Sequence, residues 1–113
     1  MRVLQSVKKP KNYHLSCSYF ILYLGIKRKL PMLNLHNIWI NKAFEANIKC
    51  AFDGRLPKQA SFYFYVPSRV DETMAPSDKE VMNVIIRVPN LMSDEIEWNE
   101  QTISFLKEQV YEA

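Results

Sequence analysis

Two apolar runs separated by a polar stretch constrain this chain more than anything else in it. Ser61 to Pro67 is dense in aromatic residues and ends at a proline, as a strand does where its amide donors run out. Val81 to Pro89 does the same with β-branched residues. Residues 68 to 79 between them are polar and punctuated by proline, which predicts a long connection joining an antiparallel strand pair. Neither run alternates cleanly between apolar and polar positions, so both faces of the pair are expected to touch something.

The rest of the chain supplies partners for this pair. Residues 16 to 25 form a strand candidate rich in Tyr, Phe, Ile and Leu and ended by Gly25, and His36 to Ile40 is a shorter one containing Trp39. Asn41 can cap a helix in which Phe44, Ile48, Ala51 and Phe52 share one face, with Gly54 placed as a left-handed stop and Pro57 just beyond. A second helix is predicted after Asn99, with Ile103, Phe105, Leu106 and Val110 as its apolar stripe and Lys107, Glu108 and Glu112 in water. The sequence stops at Ala113 without a terminating glycine or proline, so that helix reads as cut off. Residues 1 to 14 read as a basic extended lead-in, with Pro10 opposing helix. The sum is an α+β fold: a small mixed or mainly antiparallel sheet of about four strands with two helices on one face. At 113 residues the chain is one domain with a modest core.

Charge is divided unevenly along it. Residues 1 to 58 hold 11 Lys and Arg against two acidic residues, and residues 59 to 113 hold four against ten. Opposite-signed halves of one small domain attract each other, and no basic motif interleaved with aromatic residues points to nucleic acid. Residues 15 to 26 are apolar and flanked by lysines but fall well short of the ~20 residues a membrane-spanning helix needs. They read as a buried strand. Cys17 and Cys50 lack the number and spacing of a disulfide framework or zinc site, which favours reduced cysteines and a cytoplasmic setting.

Few residues point to chemistry. With only Gly25 and Gly54 in the chain, neither a dinucleotide fingerprint nor a phosphate loop can be built from it. His14 and His36 lack companion ligands, so no metal site is expected. Ser16, Cys17 and Ser18 would need a nearby base to act as nucleophiles. Asp94, Glu95, Glu97 and Glu100 flank a helix start and suit its dipole better than acid–base work. Asp71, in a proline-bounded loop, is expected to accept backbone amides. Tyr19, Ile21, Tyr23, Phe62, Phe64 and Val66 occupy alternate strand positions and are expected to share a face that lines an apolar channel or packs on the helices. Under either assignment Phe64→Asp is expected to unfold the domain.

An ordered set of motifs narrows the choice. Ser16-Cys17-Ser18, Tyr23-Leu24-Gly25, His36 before a strand, Phe52-Asp53-Gly54-Arg55-Leu56-Pro57 and Ser61-Phe62-Tyr63 resemble bacterial carotenoid desaturases of the phytoene and dehydrosqualene (4,4'-diapophytoene) type. So do Pro67-Ser68 with Asp71, Thr73-Met74-Ala75-Pro76 and Val88-Pro89-Asn90-Leu91, the resemblance covering roughly residues 12 to 113. It implies an FAD-dependent oxidoreductase acting on a long C30 or C40 polyene, associated peripherally with membranes, of which this chain matches a middle portion of the substrate-binding part. The family's glycine-rich FAD segments have no counterpart here, and Asn37 stands where the family has a second histidine. No catalytic or cofactor-binding residue is therefore assigned. The chain is expected to be an inert fragment by itself, with flavin supplied by a partner chain or other segments. The alternative is a stand-alone apolar-ligand or protein-binding module that covers its sheet by self-association as a homodimer.

Overall fold

A computed structural model of the chain describes residues 14 to 113. The basic lead-in expected over residues 1 to 14 lies almost wholly outside that range. Four strands and two helices follow in the order β1 (Ser18–Ile26), β2 (His36–Trp39), α1 (Phe44–Phe52), β3 (Phe62–Tyr65), β4 (Glu80–Val88) and α2 (Glu100–Tyr111). The strands make one sheet in the order β1-β4-β3-β2, every neighbouring pair antiparallel. The two apolar runs are β3 and β4 at its centre, and the fold is α+β as their pattern predicts.

The sheet separates into two faces. Along β4, Glu80, Met82, Val84, Ile86 and Val88 are buried while the residues between them are only half-buried. Register then fixes the neighbours, so that Leu22, Val84 and Phe64 lie in one row, and Phe20, Ile86 and Phe62 in the next. Leu106 of α2, wholly buried, joins this core, and Leu30, Leu33, Leu56, Trp98 and Val110 pack against the cluster as a whole. Apolar burial at ~25 cal/mol per Å² makes this layer the main source of stability.

The two helices do not lie together on that layer. None of α1 joins the core cluster; it buries only Asn47 and Ala51, and Phe44 and Phe52 of its predicted stripe stay exposed. A polar anchor holds it instead, since Asn47 Nδ2 donates to the Gln59 carbonyl at 2.6 Å. Asn41 does not cap the helix. Its Oδ1 accepts from Ala43 N at 2.8 Å in a turn that leads into the first helical residue, Phe44. Asn99 does cap α2, accepting from Thr102 N at 3.0 Å, and α2 leans on the sheet's approach through Gln109, whose Oε1 accepts from Ala60 N.

Gly54 ends α1 as expected. Its φ is +76°, and Arg55 N donates back to Cys50 O at 2.9 Å, closing the turn left by the helix's unpaired carbonyls. A Cβ at this position would meet Ser93 Oγ at 2.8 Å, the hydroxyl that donates to the Gly54 carbonyl. Gly54→Ala is therefore expected to destabilise the fold by at least the ~1–2 kcal/mol cost of a left-handed non-glycine residue. Urea unfolding would show it. An unchanged midpoint would mean that the turn relaxes freely.

Candidate functional site

The sheet face opposite the core is open. Its rows are Tyr19 with Arg87, then Ile21, Ile85, Tyr63 and Ile38, then Tyr23, Asn83, Tyr65 and His36. Tyr19, Ile21, Tyr23 and Ile38 are exposed, Tyr23 by as much as 75%. An apolar surface exposed on both edge strands and only half-buried between them marks a place where something else belongs.

This face corrects one expectation. Tyr19, Ile21 and Tyr23 stand on the open face, whereas Phe62, Phe64 and Val66 stand on the core face, Phe62 and Val66 among its buried residues. The six do alternate along their own strands. β1 and β3 are not neighbours, however; β4 lies between them, and its register pairs Ile21 with Ile85 and Ile85 with Tyr63. A one-residue offset sends a whole strand's side chains to the other face. The partners of the β1 set are thus Tyr63 and Tyr65, and of the β3 set only Phe62 also borders the open side.

Two hollows lie end to end along this face. The larger, about 500 Å³, is floored by Tyr19, Ile21, Tyr63 and Ile85 and walled by Phe44 and Ile48 of α1. The second, about 440 Å³, continues over Tyr23, Tyr65 and Asn83 and is bounded by Val70 and Met74 of the β3–β4 connection. The exposed stripe of α1 and the polar connection thus act as walls at opposite ends. Both volumes lie within the range of small-molecule sites.

Polar groups hold the walls in place. His36 Nδ1 lies 2.8 Å from the Tyr63 hydroxyl, and the imidazole stacks on the Tyr65 ring with centroids 5.4 Å apart. Asn37 does not face the hollows. It closes a turn with Asn34, accepting from its N–H and donating to its carbonyl.

At the other end Asp71 accepts from Thr73 Oγ1 at 2.6 Å and Thr73 N at 2.9 Å, the fixed role expected of it. These bonds favour its charged form and lower its pKa, the hydroxyl contributing most and the amide next. A depressed carboxyl lends stability above its unfolded pKa and loses it as pH falls through the folded one. The expected result is an Asp71 midpoint below that of ordinary aspartate, with Thr73 amide protection lost along the same curve, both visible by NMR. Asp71→Asn should keep the turn and abolish that pH dependence. A Thr73 amide indifferent to acid would contradict it.

An ion pair between a half-buried arginine and a buried carboxylate fastens the same connection. Arg69 donates through Nε to Leu33 O at 2.8 Å and through Nη2 to Leu30 O at 2.6 Å, and its Nη1 lies 3.3 Å from Glu80 Oε1. Ser68 Oγ accepts from Val81 N beside it. Neither Arg69 nor Glu80 stands out by type or spacing in the sequence. The available signal was an acidic residue at the inward parity of a strand otherwise filled with Met, Val and Ile.

Several of the motif residues make turns, while Tyr23, His36, Phe62 and Tyr63 lie in strands. Asp53 and Gly54 end α1, Ser61 Oγ accepts from Asn41 N, Asp71 closes its turn, and Asn90 accepts from Met92 N while donating to Ser16 O. Cys17 and Cys50 are free and half-buried, and among the described residues Ser16 Oγ donates to Cys17 Sγ at 3.9 Å rather than to a base.

Comparison with known proteins gives these turns and this face a setting. Over 84% of its length the chain is 42% identical to a 4,4'-diapophytoene desaturase (4,4'-diaponeurosporene-forming) of Staphylococcus haemolyticus. It is 34% identical over 85% to the enzyme of that name from Staphylococcus aureus, and 31% identical over 82% to a zeta-carotene-forming phytoene desaturase of Myxococcus xanthus. The chain is a segment of the carotenoid desaturase family. It spans about a fifth of the length of the curated relatives it matches, 19%, 20% and 18% of them in that order. No family model matches it. This desaturase segment is thus favoured over a stand-alone binding module. Among its described residues no helix is long and apolar enough to cross a membrane.

Proposed function

We infer that the desaturase segment forms one wall of a site for a long apolar polyene, with its open sheet face toward the hydrocarbon. The observation that carries this is the pair of hollows on neighbouring rows of the face, over Ile21, Ile85 and Tyr63 and over Tyr23, Tyr65 and Asn83. A substrate without polar groups is held by burial of apolar area, at ~25 cal/mol per Å², and by shape. Tyr19, Ile21 and Tyr23 line the wall directly in this reading. Phe62, Phe64 and Val66 support it from behind through the sheet.

The family resemblance implies FAD, and the described residues do not fit it. A flavin dinucleotide needs a glycine turn that brings backbone amides at a helix start against its phosphates. Gly25 lies within β1, and Gly54 ends a helix with its Cβ side filled by Ser93. The contribution of these residues is therefore binding and exclusion of water. Residues other than these supply the flavin contacts, and by itself the segment is inert.

Purification with FAD present, followed by titration with a C30 polyene in detergent, tests this reading. The expected outcome is no co-eluting flavin absorbance and saturable quenching of tyrosine and tryptophan fluorescence by the polyene. Stoichiometric flavin, or a folded chain that ignores the polyene, would overturn it.

A further inference from the structure

Among the described residues the open face carries one cation without a partner. Arg87 stands on β4 opposite Tyr19 and lines the larger hollow. Its Nε is buried and donates to no acceptor among the described residues. The ion pairs of those residues use Arg55 and Arg69, and residues 1 to 13 contain no Asp or Glu to reach it. A buried donor without an acceptor is costly, more so when charged. A pure hydrocarbon offers none.

We propose that the larger hollow binds a long-chain carboxylate, its head on the Arg87 guanidinium and its chain laid over Ile21, Ile85 and Tyr63 toward Tyr23 and Tyr65. The guanidinium is a planar fork that meets a carboxylate through two parallel hydrogen bonds. One positive charge matches one carboxylate. A phosphate monoester, carrying about −1.5 to −2, would bring unneutralised charge against an apolar floor. Length fits as well: β4 runs from Arg87 to Val81 at ~3.4 Å per residue, about 20 Å of face, comparable to an extended long acyl chain. The proposal rests on the open face accepting an apolar chain and adds the polar end group.

The test is titration of the full chain with palmitate, methyl palmitate, hexadecane and hexadecyl phosphate, read by intrinsic fluorescence, with thermal unfolding recorded for each protein. Palmitate is expected to bind at least about tenfold more tightly than its methyl ester, the scale of a charge-assisted hydrogen bond in a dry site. Arg87→Leu should erase that difference while still binding hexadecane, and Arg87→Lys should keep part of it. Equal affinity of the unsubstituted chain for palmitate and its ester would overturn the proposal and leave the apolar-face reading standing, without reliance on any variant. Tighter binding of hexadecyl phosphate than of palmitate would overturn the choice of carboxylate. Saturable binding of none of the four would overturn both readings.

Discussion

Arg69→Ala is expected to cost the fold about 3–5 kcal/mol, the range for removing one partner of a buried ion pair. The Glu80 side chain is wholly inaccessible, and among the described residues neither of its oxygens accepts a hydrogen bond. Among those residues its compensation is the Arg69 Nη1 at 3.3 Å. Alanine would leave that carboxylate alone in the core layer, and would also free the Leu30 and Leu33 carbonyls that Arg69 holds. The second loss is smaller, because each such bond is worth ~0.5–1.5 kcal/mol net and water can replace it at the surface. A second substitution separates the two terms: Glu80→Gln in the Arg69→Ala background removes the stranded charge and should restore part of the stability. Urea unfolding of the four proteins closes the cycle. A loss below about 1 kcal/mol for Arg69→Ala would place the pair with ordinary surface bridges.

That pair also shows where reading the sequence stops. β1, β2, β3, β4 and both helices all lie where apolar runs, prolines and Asn99 place them, because those signals are local and act within one turn or strand. Gly54 was legible for the same reason. The antiparallel β3–β4 pair was legible as well, but the register of β3 relative to β1 was not, since it depends on which strand intervenes, and a single-residue offset moved Phe62, Phe64 and Val66 to the core face. Arg69 and Glu80 are 11 positions apart and meet only because the connection folds back over the start of β4.

The open face was half legible. Tyr19, Ile21 and Tyr23 could be named from alternation along one strand. Arg87 could not, because a lone cation in an apolar strand reads equally well as an edge residue. Of the motif residues, Gly54 and Asn90 make turns that build the scaffold, whereas Tyr23 and Asp71 line the second hollow and Tyr63 the larger one.

Two adjacent residues on β1 separate scaffold from site most sharply. Leu22→Asp is expected to unfold the segment, with a loss above about 4 kcal/mol. Leu22 is 8% exposed and packs in the row of Val84 and Phe64, so the change removes a buried side chain, itself worth ~2–5 kcal/mol, and installs a charge with no partner. Ile21→Asp, one position away, puts the same charge on the open face at a site 42% exposed, where solvent can reach it. Its stability cost should stay within about 1 kcal/mol. Yet the floor of the larger hollow would then carry a carboxylate, and binding of a polyene or of hexadecane should fall by about tenfold or more, since a desolvated charge costs several kcal/mol against an apolar ligand. Thermal unfolding and the fluorescence titration read the two effects separately. If Ile21→Asp unfolds the chain as Leu22→Asp does, the face is core. If Ile21→Asp folds and binds normally, the hollow lies elsewhere, and only stability intact with binding lost fits a wall built to be covered by ligand.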